Sequence, residues 1–408
     1  MTMIDPRRAG TLSVLLALVM TLLATAPADA HGRRGIDLTR LVVVGDSLSA
    51  GFQNGRLVAD QQVHGYAPLV ARQAEVDLVL PLMGLAAGIP YRLDPSQQAT
   101  DLAIPGANAG QALAARPDGV VVIDPVHDPF GTDLWTELIL GLPGLFQGAS
   151  RSQVEWAEAL APTAVFVWIG NMDALAAAVA GDATLLTPVE QFHAAYRELV
   201  ARLAATGAAL IVATIPDVSV IPYFTPAAAV AAAGGLPLEA IGPVLGIGPG
   251  DLLLPEALGL VGPILAGAVP GPLPANTILD AGEVAAIRAH TRAFNRIIAV
   301  EALARHAALV DVHGLLDCVS RGGLVVGERR LTTDFGGGLF SLDGIHPTNT
   351  GYAVVANAFI RALRLHFGAR IPMVDLAAVA AEDPLVPPPA GESELRHPQC
   401  VPWLGAGR

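Results

Sequence analysis

The 408-residue sequence is poor in cysteine, aromatic residues and charge. Its only cysteines are Cys318 and Cys400, which leaves two readings: one disulfide pinning the C-terminal tail to the body, or two separate buried thiols. Aromatic residues make up 5% of the chain, too few to suggest a sugar-stacking platform. Charged residues make up 15%, and the formal net charge of −13 argues against nucleic acid as a partner, because phosphate neutralisation needs clustered Lys and Arg. The histidines, among them His64, His127 and His313, show no metal-ligand spacing, and "HD" at 127–128 reads as a loop feature. No phosphate-binding or dinucleotide fingerprint appears, since "GGLPLEAIG" lacks the strand–glycine–helix context. Neither a metal nor an organic cofactor is expected.

Long apolar runs are also scarce, with one exception at the N-terminus. Arg7 and Arg8 precede an apolar stretch from Thr11 to Ala24, and Ala28-Asp29-Ala30 supplies small residues for cleavage after Ala30. The run is shorter than the ~20 residues of a membrane span. Residues 1–30 therefore read as a secretory signal peptide, and 31–408 as an exported mature chain. That length suffices for one large domain with a substantial core, supported by a hydrophobic fraction of 52%.

Five short apolar runs read as buried strands: "LVVVG" (41–45), "DLAIPG" (101–106), "AVFVWIG" (164–170), "ALIVATIPD" (209–217) and "ALVDVHG" (308–314). They are continuous rather than alternating, which suits a parallel sheet covered on both faces. Helical patterns lie between them at 187–207, with Thr187 as cap, at 280–307, and at 348–368. This alternation predicts an α/β doubly wound domain over 31–370, with any active site in loops at the strand C-termini. Two insertions interrupt it, near 111–150 and 222–276; the second is rich in Ala, Gly, Pro and Leu. Each reads either as a lid or apolar substrate cleft, or as a packed helical hairpin. Residues 371–408 are expected to form an extended Pro-rich tail.

In "LVVVGDSLSA" (41–50), Ser47 follows the first strand, where it reads either as a helix cap or as a nucleophile. A nucleophile needs a base, and "LFSLDGIHPTNTGY" (339–352) offers one: Asp343 and His346, three apart, just before the last helix. In such a segment the carboxylate orients the imidazole that takes the serine proton. Together, G-D-S-L and D-x-x-H-P resemble the GDSL esterases and lipases, also called SGNH hydrolases, from about Leu41 to Ala369. The resemblance implies a flavodoxin-like three-layer α/β/α fold with a parallel sheet of about five strands. It further implies Ser47 as nucleophile, His346 as base and Asp343 as its orienter.

The same resemblance implies an oxyanion hole made by the Ser47 amide, the Gly106 amide in "LAIPGANAG" (102–110), and an Asn side chain. In "WIGNMDAL" (168–175), Gly170 and Asp173 match the family pattern, but Met172 stands where the Asn belongs. Asn171, one residue away, reaches the site only if the chain bends at Gly170; Asn108 or a backbone amide is the alternative donor. The resemblance thus implies a secreted serine esterase acting on small-molecule or lipid esters. The apolar 222–276 insertion favours hydrophobic acyl groups and transient contact with a lipid surface. A non-catalytic exported binding protein and a carbohydrate O-deacetylase are the alternatives.

Overall fold

The computed structural model describes residues 35–120, 128–144, 148–391 and 400. The signal peptide expected over 1–30 and His127 lie outside the described residues.

Four strands form the central sheet: β1 (Leu41–Gly45), β2 (Ala164–Trp168), β3 (Ala209–Ala213) and β4 (Ala308–Val310). They pair in parallel in the order β1-β2-β3-β4. The fifth expected strand, 101–106, is reduced to a single parallel bridge between Asp101 and Val43. Its Leu102 and Ile104 amides donate to the Val43 and Gly45 carbonyls at 3.0 and 3.1 Å. Gly106, at φ +84°, then turns the chain away before another rung forms. The observed strands also end earlier than expected. The apolar runs continue into the turns that follow, as at Asp311, whose carboxylate accepts from the Gly314 amide and starts the next helix.

Successive strand residues enter opposite cores, which explains runs without alternation. Val42, Val44, Val165, Val167, Leu210 and Val212 join one apolar cluster, while Leu41, Val43, Ala164, Phe166, Ile211 and Ala213 join the other. The helices used below are α1 (Ser47–Ala50), α2 (Tyr66–Gln73), α3 (Ala109–Ala114), α4 (Gln153–Ala159), α5 (Met172–Val179), α6 (Val189–Ala205), α7 (Ala281–Ala304), α8 (Val312–Gly322) and α9 (Asn349–Phe367). Helices α3 to α7 supply the first cluster, and α2, α8 and α9 the second, giving three layers.

Local chemistry sets the helix ends. Asp280 and Glu283 form a reciprocal capping box at the start of α7. Thr348 accepts from the Gly351 amide at the start of α9, and Gly368 closes that helix in the left-handed region. Thr187 does not cap α6; Pro188 occupies that position, and the Thr187 amide instead donates to the Asp173 carbonyl at 3.1 Å.

The 222–276 insertion is neither a simple lid nor a lone hairpin. With Ile278–Leu279 it builds a three-stranded sheet and three helices around its own core of Ile241, Leu245, Leu253, Ala257 and Ile264. In the 111–150 insertion, Asp128 accepts from the Thr132 and Asp133 amides and begins the helix Thr132–Ile139. The tail departs from the extended form expected. It holds a helix, Leu376–Glu382, and docks on α9 through Asn357, which bonds both the amide and the carbonyl of Val374. Its prolines fall at 372 and from 384 onward, on either side of that helix, and none interrupts it. Cys318 of α8 is joined to Cys400 by a disulfide spanning 82 positions. Among the described residues no single helix is long and apolar enough to cross a membrane.

Two stability predictions follow from these contacts. Closing so long a loop restricts the unfolded chain, so Cys318→Ser/Cys400→Ser lowers unfolding free energy by roughly 2–4 kcal/mol in denaturant titration. Asp101 is buried, one of its oxygens has no partner, and burial pushes its carboxyl up to about 7 against a single backbone donor, Ala103. A folded-state pKa above the unfolded value gives stability that is complete below about pH 4 and lost as pH rises through 7. Urea unfolding at pH 5 and pH 8 therefore shows lower stability at pH 8, and Asp101→Asn reduces that difference.

Candidate active site

Counting the bridged 101–104 segment, the strands lie across the sheet in the order 2-1-3-4-5. The chain leaves the carboxyl end of β1 in one direction and that of β2 in the other, which opens a crevice between them. Ser47 stands at the start of α1 directly after β1, and Asn171 immediately precedes α5 after β2.

The third contributor is the loop before α9. His346 Nε2 lies 2.9 Å from Ser47 Oγ, although the two residues are 299 positions apart. The other ring nitrogen, Nδ1, lies 2.9 Å from Asp343 Oδ2. Ser47, His346 and Asp343 thus form one continuous hydrogen-bonded line. Ser47 and His346 are buried, and the Phe52 ring packs on the imidazole at 4.7 Å between centroids. Asp343 also accepts from the Gly55, Ile345 and His346 amides at 2.8, 2.9 and 2.9 Å and from the Ser341 hydroxyl at 3.1 Å. Burial alone would raise its pKa. The hydrogen bond and charge of His346, with the His346 and Ile345 amides, overcome that and hold the carboxyl well below the usual range.

Asp343 is held in part by a segment that sequence reading passed over. In "QNGR" (53–56) the Gln53 and Arg56 backbones exchange hydrogen bonds at 3.0 Å, while Asn54 and Gly55 adopt φ of 52° and 72°. This is a two-residue turn, and Asn-Gly is its strongest sequence signal. The turn docks on the 341–343 loop. The Asn54 amide donates to Ser341 Oγ, the Leu342 amide donates to Asn54 Oδ1, and the Gly55 amide reaches Asp343.

Gly170, at φ +113°, does bend the chain, and Asn171 and Met172 both line the cavity that Ser47 faces. Asn171 Nδ2 donates to Asp46 Oδ2 at 2.8 Å. Burial pushes Asp46 up to about 7, opposed by the Asn171 and Leu48 donors. Asn108 is not among the residues lining that cavity; its Oδ1 accepts from the Gln111 amide and caps α3, while its backbone amide donates to Gln111 Oε1. Gly106 lies outside the cavity lining, and its lack of a side chain answers to crowding as well as to φ. A Cβ there would run into Thr132 Oγ1 and approach Phe130 Cβ to 2.7 Å. The following loop is anchored by Asp173, which accepts from the Ala109 amide at 3.0 Å. Among the described residues the Ser47 and Gly106 amides donate no hydrogen bond, the condition an oxyanion donor must meet.

The cavity at Ser47 has a volume of about 90 Å³. Apart from Ser47 and Asn171 its walls are apolar, with Met172 and Leu175 of α5, Leu315, Leu316 and Val319 of α8, and Val354 and Val355 of α9 among them. Neither insertion contributes a described residue to this lining. Of the two readings of residues 222–276, the apolar cleft is not met at this cavity, and the segment spends its apolar residues on its own core. Among the described residues no group of three His, Cys, Asp or Glu side chains is arranged to hold a metal.

The GDSL-like lipase/acylhydrolase family model matches residues 41–359, and the chain belongs to that family of serine ester hydrolases. No curated protein matches the sequence. Among solved structures, an α/β hydrolase named LAE5 from the metagenome of Lake Arreo is 18% identical, with 80% of this chain and 94% of that one covered and a TM-score of 0.36. The psychrotrophic esterase EstA from a Pseudoalteromonas species is 14% identical, with 81% and 100% covered and a TM-score of 0.35. A lipase/acylhydrolase from Enterococcus faecalis is 12% identical, with 82% and 97% covered and a TM-score of 0.34.

The Asn-Gly turn gives a prediction away from the reacting atoms. Asn54→Ala removes the acceptor of the Leu342 amide and disfavours the left-handed backbone, so Asp343 loses its fixed seat. In steady-state assays kcat falls roughly tenfold with KM unchanged, and Asn54→Asp, which keeps the acceptor, restores most of it.

Proposed function

We propose that this chain is an exported esterase that cleaves carboxylic esters with an apolar acyl group through a covalent acyl-enzyme on Ser47. The observation that carries the reading is the unbroken line Ser47–His346–Asp343, with both contacts of the imidazole at 2.9 Å. In this reading Ser47 Oγ attacks the ester carbonyl while His346 Nε2 takes its proton. Asp343, kept ionised, fixes the tautomer and stabilises the imidazolium. The charge that develops on the carbonyl oxygen is met by the Ser47 and Gly106 amides and by Asn171, which Asp46 holds in place. Collapse of the tetrahedral species breaks the bond to the alcohol oxygen, which leaves with the proton from His346. Water then gives a proton to His346 and attacks the acyl carbon; collapse breaks the bond to Ser47 Oγ, which takes that proton from His346, and the acid is released.

The apolar acyl preference is supported by the cavity walls, and export by the N-terminal pattern together with the Cys318–Cys400 disulfide, which suits an oxidising compartment. Met172 is no argument for a disabled site in this reading, since Asn171 faces the same cavity.

Hydrolysis of p-nitrophenyl esters by residues 31–408 tests the assignment. Ser47→Ala and His346→Ala each lower kcat by roughly 10⁴–10⁶-fold. Asn171→Ala lowers it by roughly 10²–10³-fold. Full activity in Ser47→Ala would remove the reading.

A further inference from the structure

Resting on that reading, we infer that the cavity between α8 and α9 is an acyl-chain ruler: it takes the acid part of the ester, end first, and accepts about four carbons. The direction follows from where His346 stands. Ser47, Ile345 and Pro347 line the cavity, but His346 does not. The imidazole therefore addresses Ser47 from outside the cavity, and there it must deliver a proton to the departing alcohol and later take one from water. The alcohol has to leave before water enters, so it belongs on the His346 side. The acyl chain stays bound through both steps and is the group that occupies the apolar side.

The length follows from volume. An apolar cavity of about 150 Å³ holds benzene, six carbons, so a cavity of about 90 Å³ takes about four. Burying each further CH₂ favours binding by about fourfold, so selectivity rises along the chain until the cavity is full. Beyond that the walls must move, and they are held.

On one side stands α9, whose Val354 and Val355 belong to the main core. On the other stands α8, which presents Val312, Leu315, Leu316 and Val319 to the cavity. Helix α8 is tied at two places. Near its start the His313 amide donates to Thr214 Oγ1 at 2.9 Å, and next to Val319 the disulfide ties Cys318 to Cys400. The ruler is thus built from segments far apart in sequence and has no part in the Ala- and Leu-rich insertion.

The test is the dependence of kcat/KM on acyl length for p-nitrophenyl acetate, butanoate, hexanoate and dodecanoate, with the full mature chain and two variants at one wall position. In the wild type the value peaks at butanoate and drops roughly tenfold or more once the chain outgrows the cavity. Val319→Phe fills the cavity and moves the peak to acetate; Val319→Ala enlarges it and moves the peak to hexanoate. If Val319→Phe fails to fold, as judged by thermal melting, Val319→Ala decides alone. A wild-type value that stays level or rises to dodecanoate overturns the ruler, as does an unmoved peak in folded Val319→Ala. Loss of Ser47 dependence would instead remove the underlying esterase reading, whereas Ser47-dependent activity with the wrong length profile removes only the ruler.

Discussion

The chain leaves β1 and β2 in opposite directions, and everything at the site depends on that divergence. A parallel sheet packs helices on both faces, so its edges and faces are fully used; only at the strand ends does backbone remain uncovered. Where two neighbouring connections run to the same side they close over the sheet. Between β1 and β2 they do not, and the resulting crevice receives Ser47 from one strand and Asn171 from the other. The short α1, the bend at Gly170 and the apolar cavity below Ser47 are all fitted to that opening.

Asp343 is half-buried and Asp46, Asp101 and Asp173 are buried, and the donors and charges around each oppose its desolvation to different degrees. Asp343 is offered His346, three backbone amides and the Ser341 hydroxyl, and it stays ionised despite burial. Asp46 has two donors, Leu48 and Asn171, and burial wins. Asp173, also pushed up by burial to about 6, and Asp101, held by one amide, behave likewise. Burial raises all four; at Asp343 the hydrogen bond and charge of His346 add to the amide dipoles and outweigh it. The charged carboxylate beside His346 owes most to His346 itself and to the neighbouring His346 and Ile345 amides, with the Gly55 amide of the Asn-Gly turn as a further donor.

Much of the architecture was legible in the chain. The apolar runs at 41–45 and 164–168 mark β1 and β2 because both strand faces are buried, and Asp280 and Thr348 mark helix starts because their side chains satisfy exposed amides. Less legible were the places where one local signal had two outcomes. "DLAIPG" has strand composition but makes a single bridge, since Gly106 turns the chain before further pairing. Thr187 resembles a cap, yet its amide is used to hold Asp173. The tail 371–408 looks extended by its prolines, yet the residues between Pro372 and Pro384 form a helix and dock on α9.

The sequence by itself determined the layered α/β class and the pair of short segments holding Ser47, Asp343 and His346, because both are written in local residue order and composition. It also carried the Asn-Gly turn, though not what the turn would hold. Only the tertiary structure decided that these segments meet at 2.9 Å and that Asn171 lines the same cavity as Ser47. It alone decided, too, that the apolar cavity is walled by α8 and α9 while the 222–276 insertion keeps a core of its own. The reason is physical: composition says that a segment will be buried, but which surface it is buried against depends on contacts between positions hundreds of residues apart.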